Sequence, residues 1–417
     1  AWPSALFTGT CESMEKQHGT ISPAKCTQSL INTMVGTGML GMPWAVAQCG
    51  LVSGVLLLGT SAFVAATTLG LFSTVTARYP GASLKDLMAK SGLPRSLHCL
   101  PDLAVLFIGV FGGQTSYLLV IGDAAQTSVA YFLQEADSPP IPRSLFLLLA
   151  AVVIVPLALR RRLQELMGAS NIALSATVLV AAGVIARAVR ANAEGEAFRT
   201  DEVHTEMSIG AYGRALPVFV FGFTCHHQLP KLSLELDRRS FRRLAGAAWC
   251  AVLAATCAYS AVGAAGYLAF GPSVASDVLV ELRGSSDGAL AAMALAVALT
   301  TSVPLWSHTS RESAAALLIG KPVSELEAGT VRCLTALVTV PAFVLAMHLE
   351  CLGAAFGLVG GTGCALVSLV IPGLLYLKLG RSVGPKSIAG LSCDLAAWSV
   401  LVLGAAIMGQ TIVGAMF

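Results

Sequence analysis

The sequence predicts an all-α membrane protein of eleven transmembrane helices, and three observations carry that expectation. Of 417 residues, 55% are hydrophobic and only 12% charged, against roughly 25% charged in a soluble domain. The mean hydropathy is +0.75, which leaves too little polar side chain to cover a soluble surface of this size. The apolar residues also come in continuous runs of about 20, the length that crosses a ~30 Å hydrocarbon layer, without the two-residue alternation of barrel strands. The same figures exclude a soluble enzyme, a disordered chain and a secreted disulfide scaffold.

The runs fall at about 28–50, 52–77, 101–133, 143–160, 168–189, 212–230, 243–270, 288–319, 331–350, 353–379 and 391–417. The polar stretch 78–100 admits an interfacial helix over Leu84 to Lys90. Residues 190–211 are likewise too short and polar to bury a core. The domain reading is a tail at 1–27, one membrane domain at 28–417 made of halves at about 28–190 and 212–379, and a last helix at about 391–417.

Of the 26 Lys and Arg, all but Arg143, Arg187, Arg190, Arg199, Arg214 and Arg283 fall on the N-terminal side of this alternation. The positive-inside rule then makes the N-terminus cytoplasmic and, with an odd span count, puts the C-terminus on the other side. The basic residues form no stripe, so no nucleic acid partner is expected. Residues 1–27 carry no apolar signal-peptide core. The eleven cysteines make no CxxC or Cys/His spacing, so neither a transition-metal site nor a disulfide framework is expected.

Two spans carry residues that a lipid-crossing helix avoids. The first reads Asn32-Thr33-Met34-Val35-Gly36-Thr37-Gly38-Met39-Leu40-Gly41-Met42-Pro43. Each interior glycine costs about 1 kcal/mol relative to alanine, and backbone unwound at bilayer depth survives only inside protein or beside a wet cavity. There its carbonyls can hold a cation and its amides a carboxylate. Tight helix packing on Gly36 and Gly41 is the simpler use of the same glycines. The sixth run turns polar partway, through Phe221-Gly222-Phe223-Thr224-Cys225-His226-His227. Runs one and six enter the membrane from opposite sides, the arrangement of inverted five-helix repeats whose broken helices face each other.

With these segments, the chain resembles the amino acid/auxin permease family, most closely its sodium-coupled neutral amino acid transporter branch. The resemblance covers nearly the whole chain. It also runs through Ser116 to Asp123, Pro156 to Arg160, Glu235, Gly266 to Gly271, Val303-Pro304 with Arg311, and Ile371 to Lys378. It implies a LeuT-type fold, a 5+5 inverted repeat plus an eleventh helix, working as a secondary active transporter of neutral amino acids with a sodium ion or proton as coupling ion. Sodium would lie at carbonyls near Asn32 and Val35 and at hydroxyls of Thr300, Thr301 and Ser302, hard oxygen donors of the type such a cation prefers. The substrate would meet Thr33 and the amides of Gly36, Thr37 and Gly38, with Phe221, Thr224 and Cys225 on the opposite wall. Two departures bear on the coupling ion and the substrate. His226-His227 stands where the family often has one His, and Ser307-His308-Thr309-Ser310 replaces a Phe-Pro pair before Arg311.

Among ionisable residues, Asp123 lies inside the third run, where it either braces helices or takes part in proton or ion movement. His226 and His227 offer pH sensing near neutrality or plain burial. Arg311 is expected to snorkel or to brace a gate. No nucleophile with a partnering base is readable, so an enzyme is not expected. The expected alternatives are a proton-coupled transporter of a vacuolar or lysosomal membrane, and an amino acid sensor with little flux, whose mark would be a long cytosolic tail. The plasma membrane is the remaining location. Beyond the bilayer and an amino acid, the sequence names no partner and no oligomeric state.

Overall fold

The computed structural model describes residues 19–133, 141–160, 167–194, 208–237, 240–349, 351–381 and 388–416. The N-terminal tail up to residue 18, Arg161, Arg162, Arg199, Arg238, Arg239 and Lys386 lie outside them. Among the described residues the structure is helical, in the order α1 (Pro23–Met34), α2 (Met42–Cys49), α3 (Leu51–Arg78), α4 (Leu84–Lys90), α5 (Leu100–Phe107), α6 (Thr115–Phe132), α7 (Arg143–Ala158), α8 (Met167–Ala193), α9 (Ile209–Gly222), α10 (Leu229–Glu235), α11 (Phe241–Phe270), α12 (Ser286–Leu318), α13 (Ala328–His348), α14 (Leu352–Val359), α15 (Ile371–Leu375) and α16 (Ile388–Met416).

Short polar residues start these helices where the chain turns. Ser22, Ser208, Ser240 and Ser285 each accept a backbone N–H of the first turn. Ser83 and Asp86 form a reciprocal capping box that opens α4. Gly50, at φ 79°, reverses the chain from α2 into α3 within one residue, a backbone conformation that disfavours a side chain.

Eight helices of the described residues are long and apolar enough to cross a bilayer: Leu51–Arg78, Arg95–Phe132, Ile172–Ala193, Phe241–Phe270, Ser286–Leu318, Ala328–His348, Leu352–Gly380 and Gly390–Gly414. Arg143–Ala158 is apolar but shorter. The first and sixth apolar runs do not form single helices. They are divided between α1 and α2 and between α9 and α10. Wider π-helical turns, at Ile108–Gln114 between α5 and α6 and at Gly360–Cys364 after α14, interrupt two further helices where glycines cluster.

Helix α12 is the centre of one side of the bundle, packed against α5, α6, α7, α8 and α13. Helix α11 holds α1, α2, α3 and α8, and α9 lies on α2 and α14, so the divided helices are enclosed by continuous ones. Arg311 does not snorkel to an interface. It is fully buried, and its Nη1 donates to Ala158 O at 2.8 Å and to Thr335 Oγ1 at 2.9 Å while Nη2 donates to Arg160 O at 3.2 Å. It satisfies carbonyls that the end of α7 leaves without helical partners, which ties α7 to α12.

Candidate functional site

Helix α1 stops at Met34 because Val35 (ψ 76°) and Gly36 (φ −126°, ψ −140°) leave helical geometry, and winding resumes as a 3-10 turn over Thr37–Gly41. In the second interruption α9 ends at Gly222. The chain passes through Phe223 to Cys225, and a 3-10 turn at His226–Gln228 leads into α10. The two interruptions touch. A methyl group built on Gly38 would sit 3.5 Å from the Gly222 Cα and 3.6 Å from the Phe221 ring. Phe221 in turn stacks on Phe356 with centroids 4.5 Å apart.

One side chain joins both interruptions. The hydroxyl of Tyr259, on α11 and fully buried, lies 2.6 Å from Met34 O and 2.9 Å from Gly222 O, the last carbonyls of α1 and α9. A single hydroxyl hydrogen is shared between these two helix-end acceptors, of which Met34 O also accepts the Gly36 N–H at 2.9 Å.

Beside the first interruption is a cavity of about 110 Å³. Asn32, Thr33, Val35 and Gly36 form one wall, and Tyr117, Thr177, His227 and Gln228 contribute from α6, α8 and the second interruption. The α12 wall is the stripe Leu299, Ser302, Leu305, Trp306 and Thr309, the three- and four-residue spacing of one helix face. The structure therefore brings Asn32, Thr33, Val35, Gly36, Ser302 and His227 to one cavity. Thr300 and Thr301 fall off that stripe, at 100° steps around the helix, and their hydroxyls donate to Ala296 O and Ala298 O.

The other expected site residues lie deeper in the contact between the interruptions. Thr37 is buried with its Oγ1 3.1 Å from Ser116 Oγ. Gly36 N–H is already used, donating to Met34 O, which leaves the amides of Thr37 and Gly38 at the start of the 3-10 turn. Thr224 Oγ1 donates back to Val220 O at 2.6 Å, and Cys225 is fully buried. His226 is buried away from the cavity with Nε2 2.8 Å from Thr68 Oγ1. The Nδ1 atom of His227, whose ring does reach the cavity, has no hydrogen-bond partner among the described residues. Asp123 belongs to another place: it pairs with Arg143 at 2.8 Å, whose Nη1 caps Leu349 O at 2.6 Å. Sequence reasoning missed Tyr117, Thr177, Trp306 and Thr309. Of these, Trp306 and Thr309 were within reach as the positions four and seven residues after Ser302.

A model of the family described as transmembrane amino acid transporter protein matches residues 19–417. The chain belongs to that family. It is the amino acid/auxin permease family that the sequence resembles, and its members are transporters, not enzymes. Vacuolar amino acid transporter 5 of Schizosaccharomyces pombe is 28% identical over 364 residues, covering 85% of this chain and 84% of that one. Sodium-coupled neutral amino acid transporter 7 of Homo sapiens is 25% identical over 417 residues, covering 96% and 88%. Among solved structures, MhsT in complex with L-phenylalanine aligns with a TM-score of 0.60 at 14% identity, over 95% of this chain and all of that one. Mhp1, a nucleobase-cation-symport-1 family transporter in a closed conformation, aligns with a TM-score of 0.60 at 12% identity, over 98% and 96%. These two likenesses establish a shared helical fold.

Proposed function

We propose that this family member carries neutral amino acids across a membrane by alternating access, as a sodium-coupled symporter. The observation that carries the reading is the pair of touching helix interruptions beside an oxygen-lined cavity of about 110 Å³. In this reading eleven crossings form two inverted five-helix halves and a last helix, with the N-terminus cytoplasmic. The substrate carboxylate lies on the amides of Thr37 and Gly38, where a helical turn begins and its dipole is positive. Phe221, Thr224 and Cys225 bound the opposite side. Sodium is held by the backbone near Asn32 and Val35 with Ser302, the member of the hydroxyl band on the cavity wall.

A proton-coupled carrier of a vacuolar or lysosomal membrane is the second reading. It is favoured by the relatives named as vacuolar transporters and by the unpartnered Nδ1 of His227 at the cavity. Uptake of labelled glutamine and alanine into proteoliposomes, with sodium and then with choline at acidic pH, separates the two. Flux that needs sodium supports the first, and flux that persists in choline supports the second. Uptake indifferent to both ions removes coupling, and ligand-induced thermal stabilisation without flux assigns a sensor instead.

A further inference from the structure

The loop between α11 and α12 holds an acid that the transport reading does not use. Asp277 is 3% exposed. Its Oδ1 accepts the Leu279 N–H at 3.0 Å, and its Oδ2 is buried with no hydrogen-bond partner among the described residues. Among the described residues no Lys or Arg stands within ion-pair distance of it. Two cations lie near enough to favour the ionised form in part, but neither pairs with it: Arg143 from α7 is taken by Asp123 of α6 and by Leu349 O, and Arg283 of the same loop stands nearby with no ion pair to Asp277. Asp123 adds a second negative charge, and the other acid of the loop, Glu281, accepts the Ala275 N–H at 2.8 Å. An ionised carboxylate left in this position would keep one oxygen desolvated and unpaired, which is costly, whereas a protonated one is neutral.

The loop is also seated on the first interruption. Val278 N–H donates to Leu40 O at 3.3 Å, and Ser276 O approaches Gly41. On its other side Ser276 Oγ lies 3.4 Å from Cys351 Sγ, just before α14. It therefore spans from the unwound segment to the helix behind Phe221 and Phe356, on the side opposite the N-terminus. Lifting it away would expose Asp277 to water, where a carboxylate ionises at its ordinary value.

We propose that Asp277 is a proton-binding site of the outer gate: the loop rests on the interrupted first helix with Asp277 protonated, and releases that proton when it lifts. Burial, with the Asp123 charge beside it, pushes the acid up to about 8. Proton binding from the outer side is thus linked to gate closure, whichever ion drives the substrate. The gate and its sidedness rest on the transport reading, as does the flux measurement; the protonation of Asp277 does not.

Infrared difference spectra of the purified protein in lipid nanodiscs, titrated from acid to alkaline, test the site directly. The expected result is the carbonyl stretch of a buried carboxylic acid that disappears around pH 8 in the wild type and is missing throughout in Asp277→Asn. In proteoliposomes, wild-type flux should vary with outer pH by up to about tenfold per unit between the ordinary carboxylate value and about 8, and level off above it. Asp277→Asn, locked in the neutral form, should lose that dependence. A wild type with no such band at neutral pH, or a band retained in Asp277→Asn, overturns the proposal without reference to transport. Flux profiles of identical shape in the two proteins overturn its link to the gate. Asp277→Glu, which keeps a titratable acid, should restore both signals.

Discussion

Replacing Tyr259 by phenylalanine removes one oxygen and nothing else from the interior, so the effect can be worked from the structure. The hydroxyl lies 2.6 Å from Met34 O and 2.9 Å from Gly222 O, both ordinary lengths for an O–H···O bond. The ring keeps its edge-on packing against Phe223, with centroids 5.3 Å apart. What is lost is a donor to two buried carbonyls, of which Met34 O keeps the Gly36 N–H, so the loss falls on Gly222 O, at about 1–3 kcal/mol. Because those carbonyls end both half-helices, the loss falls on their mutual alignment and reads as roughly 5- to 150-fold weaker amino acid binding. Ligand-dependent thermal shifts on purified protein give the affinity, and the unliganded melting point reports the fold. Tyr259→Phe with wild-type affinity would refute the view that this hydroxyl aligns the two interruptions.

Thr37→Val should lose the contact with Ser116 Oγ and weaken uptake by about 1 kcal/mol, roughly fivefold, with normal membrane insertion; unchanged KM separates Thr37 from the site. Gly36→Ala places a methyl 3.1 Å from the Tyr117 hydroxyl, so it should impair uptake, and Tyr117→Phe in the same protein should restore part of it. Asp277 also predicts a pH dependence of stability. Its value rises from 3.8 to about 8 on folding, so the folded state binds the proton more tightly. Its contribution is most favourable below the unfolded value, weakens as pH climbs between the two and is fully lost above about 8. Melting points should therefore fall across that window in the wild type, and Asp277→Asn should flatten this part of the curve.

The interruptions were legible because their cause is local. Glycine and proline in Gly36 to Pro43, and the apolar-to-polar change after Gly222, act through the backbone of the residues that carry them. Which side chains face the cavity was less legible. Three hydroxyls in a row at Thr300, Thr301 and Ser302 cannot share a helix face, yet composition alone does not set the rotation of α12, which is fixed by the helices packed around it. Tyr259 was invisible for a different reason. Its partners are peptide oxygens 225 and 37 residues away, and an isolated tyrosine in an alanine-rich helix carries no signal of them. Asp277 reads as an ordinary loop acid until the loop is seen inserted against Leu40. Arg311 reads as a residue near a helix end, because the carbonyls of α7 that bury it are about 150 residues away in sequence.

At the opposite end of the bundle, Ile21 N–H donates to Glu235 O at 3.0 Å and Asp237 N–H donates to Ile21 O at 2.8 Å. The Glu235 side chain stays local, 4.0 Å from Lys231. The feet of both half-helices are thus stitched together by two main-chain rungs. Alanine scanning would pass over such a clasp, since every residue but proline supplies the same rungs. Proline at 21 or at 237 deletes a rung, and at a net worth of about 0.5–1.5 kcal/mol per rung the clasp is weak enough to part without loss of the fold.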